Sequence, residues 1–199
     1  MYIRASQHAR SAADVAEVIE RNMFATLVSH SAGGLIASHL PFVLEGETLY
    51  AHMARANPHS AVIGSGESLV IFTGPHAYIS PSWYADRATA PTWDYVAVHC
   101  YGTAVMHDAA GTKRNIERLI GVVERGRENV WSMAELSDDE VQRLLANVVS
   151  FEIPLTRVEA KFKLNQGEKP ERTRAAIAEL ERSGEAGLAE YMRRYNDQR

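Results

Sequence analysis

The residues able to do chemistry crowd into one stretch, Leu49 to Tyr95. It holds an arginine ahead of an Asn-Pro step (Arg55, Asn57, Pro58), three histidines (His52, His59, His76) and two tryptophans (Trp83, Trp93). These surround an uncharged, β-branched run, Leu69 to Thr73, which reads as a buried strand stopped by Gly74-Pro75. A rigid apolar element that presents loops of Trp, Tyr, His and Arg suits a planar, phosphorylated ligand better than it suits a plain core. The eight histidines show no HExxH, HxH or Cys/His spacing, so no metal ligand is assigned. Haem would need only one axial histidine, which spacing cannot reveal.

Composition narrows the setting. The chain has 199 residues, a 46% apolar share and a net charge of -4, which allow a sizeable core and give no electrostatic reason to seek DNA or an anionic membrane. Its single cysteine, Cys100, cannot close an internal disulfide, so a reducing, cytoplasmic location is expected. No apolar run reaches the roughly 18 residues of a membrane span, and no signal-peptide pattern opens the chain.

The elements that must position the chemistry follow from periodicity and punctuation. Ser11 with Asp14 predicts an N-cap for a helix over Ala12 to Arg21. Strands are expected at Met23 to His30, Leu35 to Val43 (with Pro41 marking an edge or bulge), Thr48 to Met53, and Leu69 to Thr73, the last resuming after a kink through His76 to Ser80. Between them, Ala54 to Ile63 reads as a short helix opened at Pro58. After a Pro-rich loop, Tyr95 to Asp108 reads as the longest strand, with Cys100 on its small-residue face as an inert core thiol. Helices are expected over Thr112 to Glu124, after the Ser137/Glu140 capping box, from Pro170 to a stop at Ser183-Gly184, and around Leu188 to Tyr195. A last strand bends at Pro154 and runs to Phe162. Strands first and helices after give an α+β class, a small antiparallel β-barrel with peripheral helices.

Five blocks carry a resemblance: ASHLPF from Ala37, HMARANP from His52, FTGPHAYISPSWY from Phe72, APTWDYVAVHCYG from Ala90 and KFKLNQ from Lys161. In order and spacing the chain resembles the PaiB family, FMN-binding negative transcriptional regulators on the split barrel shared with pyridoxamine phosphate oxidases. Asp94 departs from the family's usual Asn, and Ala160, Asn165 and Gly167 depart within its lysine loop.

The resemblance implies an antiparallel split barrel over residues 1–165, a helical C-terminal extension over 166–199, and a homodimer with an FMN site at the subunit interface. It places Arg55 and His52 on the phosphate, Ser38 and His39 on the ring and ribityl chain, Trp83 and Trp93 over the ring, and Lys163 as a second cation. Met53, Asn57 and Ser80 complete the cofactor-binding set. Structural readings stand beside these: Asn57 as a helix cap, His39 and His52 as satisfied strand residues, and the tryptophans as core or interface anchors. An FMN-dependent oxidoreductase and a haem or tetrapyrrole binder are the alternatives on the same barrel, although no acid/base pair at a telling spacing points to a reaction. Direct DNA binding is doubtful. The only helix-turn-helix candidate, Glu171 to Tyr195, interleaves its arginines with glutamates.

Overall fold

Ser11 and Asp14 do start a helix. In the computed structural model, which describes residues 1–197, the Asp14 N–H donates to Ser11 Oγ at 3.1 Å and α1 spans Ala12–Arg21. Among the described residues follow strands β1 Phe24–Ser31, β2 Gly34–Pro41, β3 Val43–Glu45, β4 Thr48–Ala54, β5 Glu67–Ile79, β6 Thr92–Thr103, β7 Val105–Met106, β8 Val148–Pro154 and β9 Arg157–Lys163. The remaining helices are α2 Ala109–Val123, α3 Asp138–Ala146, α4 Pro170–Arg182 and α5 Ala186–Asn196. Hydrogen bonds order the strands β2-β1-β5-β6-β9 in one sheet and β3-β4-β8-β7 in the other.

Three expected strands are each divided in two, and at each break the chain passes from one sheet to the other. Leu35 to Val43 parts at Phe42. Pro41 has no N–H to extend the ladder, and the Phe42 N–H turns to Met23 O at 2.8 Å. Tyr95 to Asp108 parts at Ala104 into β6 and β7, and the strand expected to run through Pro154 parts into β8 and β9. At this last break Leu155 N–H donates to Glu47 O and Thr156 N–H to Tyr101 O. Gly74-Pro75 does the opposite of what was expected, because β5 runs through it unbroken. The register of β1 on β5 covers only Leu69 to Ile71, so Pro75 falls beyond the stretch where β1 would need its N–H. The helix expected at 54–63 is instead two 3-10 turns, Pro58–Ala61 and Ile63–Ser65.

The chain forms two compact units. One comprises Ile19–Phe72 and His99–Val158. Its core centres on Phe42, edge-on to Phe72 at 6.1 Å and to Phe151 at 6.3 Å between ring centroids. Here β6 passes so close to the end of β8 that a Cβ on Gly102 would lie 2.3 Å from Pro154 O, so only glycine fits. Cys100 is fully buried, and burial pushes its thiol up to about 12. The other unit comprises Met1–Val18, Thr73–Val98 and Glu159–Arg199. Its core stacks Phe162 on Tyr195 at 4.9 Å and packs Leu164, Leu180, Leu188 and Met192 out of solvent. Gly184, at φ +89°, ends α4 as expected. The last two residues of the expected extension, 198 and 199, lie outside the described residues.

Candidate functional site

Arg55 follows β4 and is held by backbone. Its Nε donates to Ala146 O at 2.8 Å and its Nη2 to Val148 O at 2.9 Å, which pins the guanidinium to the end of α3 and the start of β8. Nη1 makes no further bond among the described residues. The guanidinium lines a groove of about 530 Å³ with His107, Asp108, Thr112, Lys113 and Gln142, at whose edge α2 begins. Asp108 caps that helix, its Oδ1 accepting the Gly111 N–H at 2.7 Å. Lys113 has only a 4.0 Å pairing with the half-exposed Glu117. Two cations, Arg55 and Lys113, and one carboxylate, Asp108, thus stand around the first turn of a fifteen-residue helix whose positive end favours negative charge. Lys113 was not singled out in the sequence, because a lone lysine in a predicted helix carries no distinguishing signal.

The other expected ligands of this unit face different ways. Ser38 pairs in register with the buried Leu27, which turns its side chain inward, whereas His39 pairs with Thr26 on the opposite face. There Nδ1 of His39 lies 3.1 Å from Thr26 Oγ1 and the ring stacks on Phe24. A ligand edge lying on one side of β2 therefore meets only one of these two side chains. Met53 is a buried core residue. His52 points to the face of β4 on which α2 packs, where burial lowers its pKa and Nδ1 has no partner. Asn57 caps the 3-10 turn, its Oδ1 accepting the His59 N–H at 3.0 Å.

His59, which is not among the expected cofactor ligands, is the hub of a buried polar chain. Its Nδ1 lies 3.0 Å from Ser38 Oγ and its Nε2 lies 2.8 Å from Ser29 Oγ. Ser29 in turn reaches Ser68 at 2.6 Å, and Asn57 Nδ2 donates to Ser38 Oγ at 3.1 Å. Burial lowers the His59 pKa and keeps the ring neutral. A second grouping looks like a hydrolase triad: His107 lies 2.8 Å from Ser150 Oγ and 3.2 Å from Glu152. Ser150 is fully buried, and its Oγ also accepts from Asn115 at 2.8 Å, so no substrate reaches it. This grouping is architectural.

In the second unit, Ser80 caps a 3-10 turn, Pro81–Trp83, by accepting the Ser82 N–H. Lys163 donates to Thr92 Oγ1 and Trp93 O and lies 3.4 Å from Asp94 Oδ1. Asp94 is 1% exposed and its Oδ2 has no hydrogen-bond partner among the described residues. Burial raises its pKa to about 6 against the pull of Lys163. Lys163 thus already has a counter-charge. Trp83 and Trp93 share a cleft of about 320 Å³ with His76, Tyr78 and Glu185. The cofactor set read from the sequence is therefore distributed between the units, with Ser38, His39, His52, Met53, Arg55 and Asn57 in one and Ser80, Trp83, Trp93 and Lys163 in the other.

The class of protein comes first from shape. The chain superposes on the FAD and haem binding protein from Mycobacterium smegmatis with a TM-score of 0.64, at 16% identity, covering 85% of this chain and 80% of that one. On the flavocytochrome Anf3 from Azotobacter vinelandii the TM-score is 0.66 at 12% identity, covering 87% and 78%. The fold is thus the α+β antiparallel split barrel of the flavin-binding proteins. Residues 1–157 match the family described as "Putative FMN-binding domain", and the chain belongs to that family. It is 34% identical over 171 residues to protease synthase and sporulation protein PAI 2 of Bacillus subtilis, covering 83% of this chain and 82% of that protein. An uncharacterized protein of Emericella nidulans is 27% identical, covering 83% and 84%. The cofactor expectation, FMN, agrees with the family's description.

Proposed function

We propose that the chain is an FMN-binding split-barrel protein of the PaiB type, acting as a ligand-binding negative regulator of transcription in the cytoplasm. One observation carries the assignment of the phosphate. Arg55 is locked by two backbone carbonyls, and its remaining nitrogen is left for the groove it shares with Lys113 and the start of α2. When bound, FMN supplies reversible electron chemistry. The chain's own part is to bind and orient it, with Arg55 and Lys113 on the phosphate.

The homodimer reading draws support from one sheet face. Phe24, Val28 and Thr26 on β1 share it with Leu35, Ala37 and His39 on β2 and with Leu69 and Ile71 on β5, and Phe24 and Leu35 stay 69% and 78% exposed. A patch this apolar favours a second copy, whose arrival would complete the flavin's surroundings. The segment from residue 166 onward serves as a helical extension of the barrel. Four of its arginines argue against direct DNA binding, because Arg172 pairs with Asp86 and Glu168, Arg182 with Glu179, Arg193 with Glu181, and Arg194 with Asp14 and Glu17. Regulation is therefore indirect. No helix of the described residues is long and apolar enough to cross a membrane.

Titration of the purified chain with FMN tests the proposal. Arg55→Ala should weaken binding by about tenfold or more, and Lys113→Ala by a few-fold, with salt weakening the parent. Parental affinity in Arg55→Ala would overturn the phosphate assignment. Haem is the second reading, favoured by the two neighbours named for it. A Soret band in place of flavin absorbance would decide for haem.

A further inference from the structure

The aromatic side chains of this protein divide in an unexpected way. Seven of the eight tyrosines lie under a cation of the same chain: Tyr2 and Tyr95 under Lys161, and Tyr50, Tyr84, Tyr101, Tyr191 and Tyr195 under arginines. The eighth is Tyr78. Among the described residues no cation covers Tyr78, Trp83 or Trp93, and these three line the same cleft. Trp93 is 56% exposed, His76 packs against it at 6.2 Å, and Tyr78 meets it edge-on at 6.3 Å.

The cleft also has a charge of defined sign. Glu185 borders it, makes no ion pair among the described residues, and does not use its side chain to cap α5, although it stands at the cap position. Ser183 borders it too, at the C-terminal, electronegative end of α4. The one nearby ammonium, Lys163, donates to the Trp93 carbonyl but is neutralised by Asp94 at 3.4 Å. Gly187 lets the first turn of α5 rest against Pro75, where a Cβ would come within 3.2 Å, and so fixes the segment that carries Glu185.

We infer that this cleft is a binding site for a small organic ammonium ion, held over the faces of Trp93, Trp83 and Tyr78 and neutralised by Glu185. Aromatic faces attract such cations through their quadrupole, most strongly on tryptophan and when water is excluded. A volume of about 320 Å³ admits a small molecule. A phosphate-bearing ligand would instead meet a carboxylate and a helix C-terminus, both of the wrong sign. The inference does not depend on the flavin reading, because every residue it uses lies in the unit that lacks Arg55 and Lys113.

The test is a fluorescence titration with tetramethylammonium chloride in a Trp131→Phe background, which leaves only the two cleft tryptophans to report. Ionic strength is matched with sodium chloride, and tert-butanol serves as the neutral analogue of similar shape. A saturable signal with tetramethylammonium and none with tert-butanol is expected. Glu185→Gln, on an exposed side chain, should weaken binding by roughly 3- to 10-fold, and Trp93→Leu should abolish it. Circular dichroism confirms that both variants fold. Equal binding of the neutral analogue, unchanged affinity in Glu185→Gln, or no saturable signal would overturn the proposal. So would FMN producing the tryptophan response in place of the ammonium ion, which makes the cleft flavin cover. So would a Trp93→Leu effect on self-association without ammonium binding, which gives the cleft to a side chain of a second copy.

Discussion

His59 in one unit and Asp94 in the other are both closed off from solvent, and they solve the burial of a polar group in opposite ways. Both ring nitrogens of His59 have hydroxyl partners, those hydroxyls have partners in turn, and burial holds the ring's pKa below its ordinary value. Asp94 has one oxygen beside Lys163, while its other oxygen and the Nδ2 of the neighbouring buried Asn165 have no hydrogen-bond partner among the described residues. A closed set of hydrogen bonds tolerates burial at little cost, whereas a half-paired carboxylate costs stability whenever it is charged.

Substitutions can break this contrast. The largest effect is expected for His59→Leu, which takes a buried partner from both Ser29 and Ser38, leaves them only Ser68 and Asn57, and should cost about 3 kcal/mol in urea denaturation. A loss below about 1 kcal/mol would mean that the chain of hydroxyls re-forms without the ring. Asp94→Asn should act in the other direction. The folded carboxyl keeps its proton up to about pH 6, whereas the unfolded one releases it near its ordinary 3.8. The folded chain therefore binds more protons between those values, and stability falls as pH rises from about 4 to 6 and stays lower at neutrality. Asn removes this slope and should stabilise the chain at pH 7 by on the order of 1–2 kcal/mol, read from melts at pH 4.5 and 7. Lys163→Met sharpens the point, since without the ammonium the Asp94 midpoint should move up, which carboxyl-carbon NMR would register. The smallest effect belongs to Ser29→Ala, about 1 kcal/mol, because His59 loses one partner and keeps the other.

Much of the framework is legible in the chain. Ser11 with Asp14, the Ser137/Glu140 box, Pro170 and Ser183-Gly184 announce their helices because caps are local, and each does bound one. Strand continuity is harder to read. Gly74-Pro75 looked like a stop and is the interior of β5, while Pro41 looked like an edge or bulge within one strand and instead ends β2 before the chain passes to the other sheet. In both cases the outcome depends on which neighbour needs the proline's missing N–H, and that neighbour is distant in sequence. Individual side chains of the site were less legible still. Alternation along β2 was enough to set Ser38 and His39 on opposite faces, but it could not show that His59 would close on Ser38 from 21 residues away. Lys113 and Glu185 read as ordinary helix-surface charges. Their significance lies in what surrounds them, Arg55 and the start of α2 for one and unclaimed aromatic faces for the other.

Cys100 bears on how such a protein could respond to its surroundings. A thiol with no exposure and a pKa of about 12 forms almost no thiolate at neutral pH, so it offers peroxides, disulfides and electrophiles no nucleophile to react with. With no other cysteine in the sequence, oxidant signalling by thiol modification is closed to this chain. Any sensitivity to redox poise would have to arise elsewhere than at a thiol, in whatever the barrel carries or at an exposed methionine such as Met106.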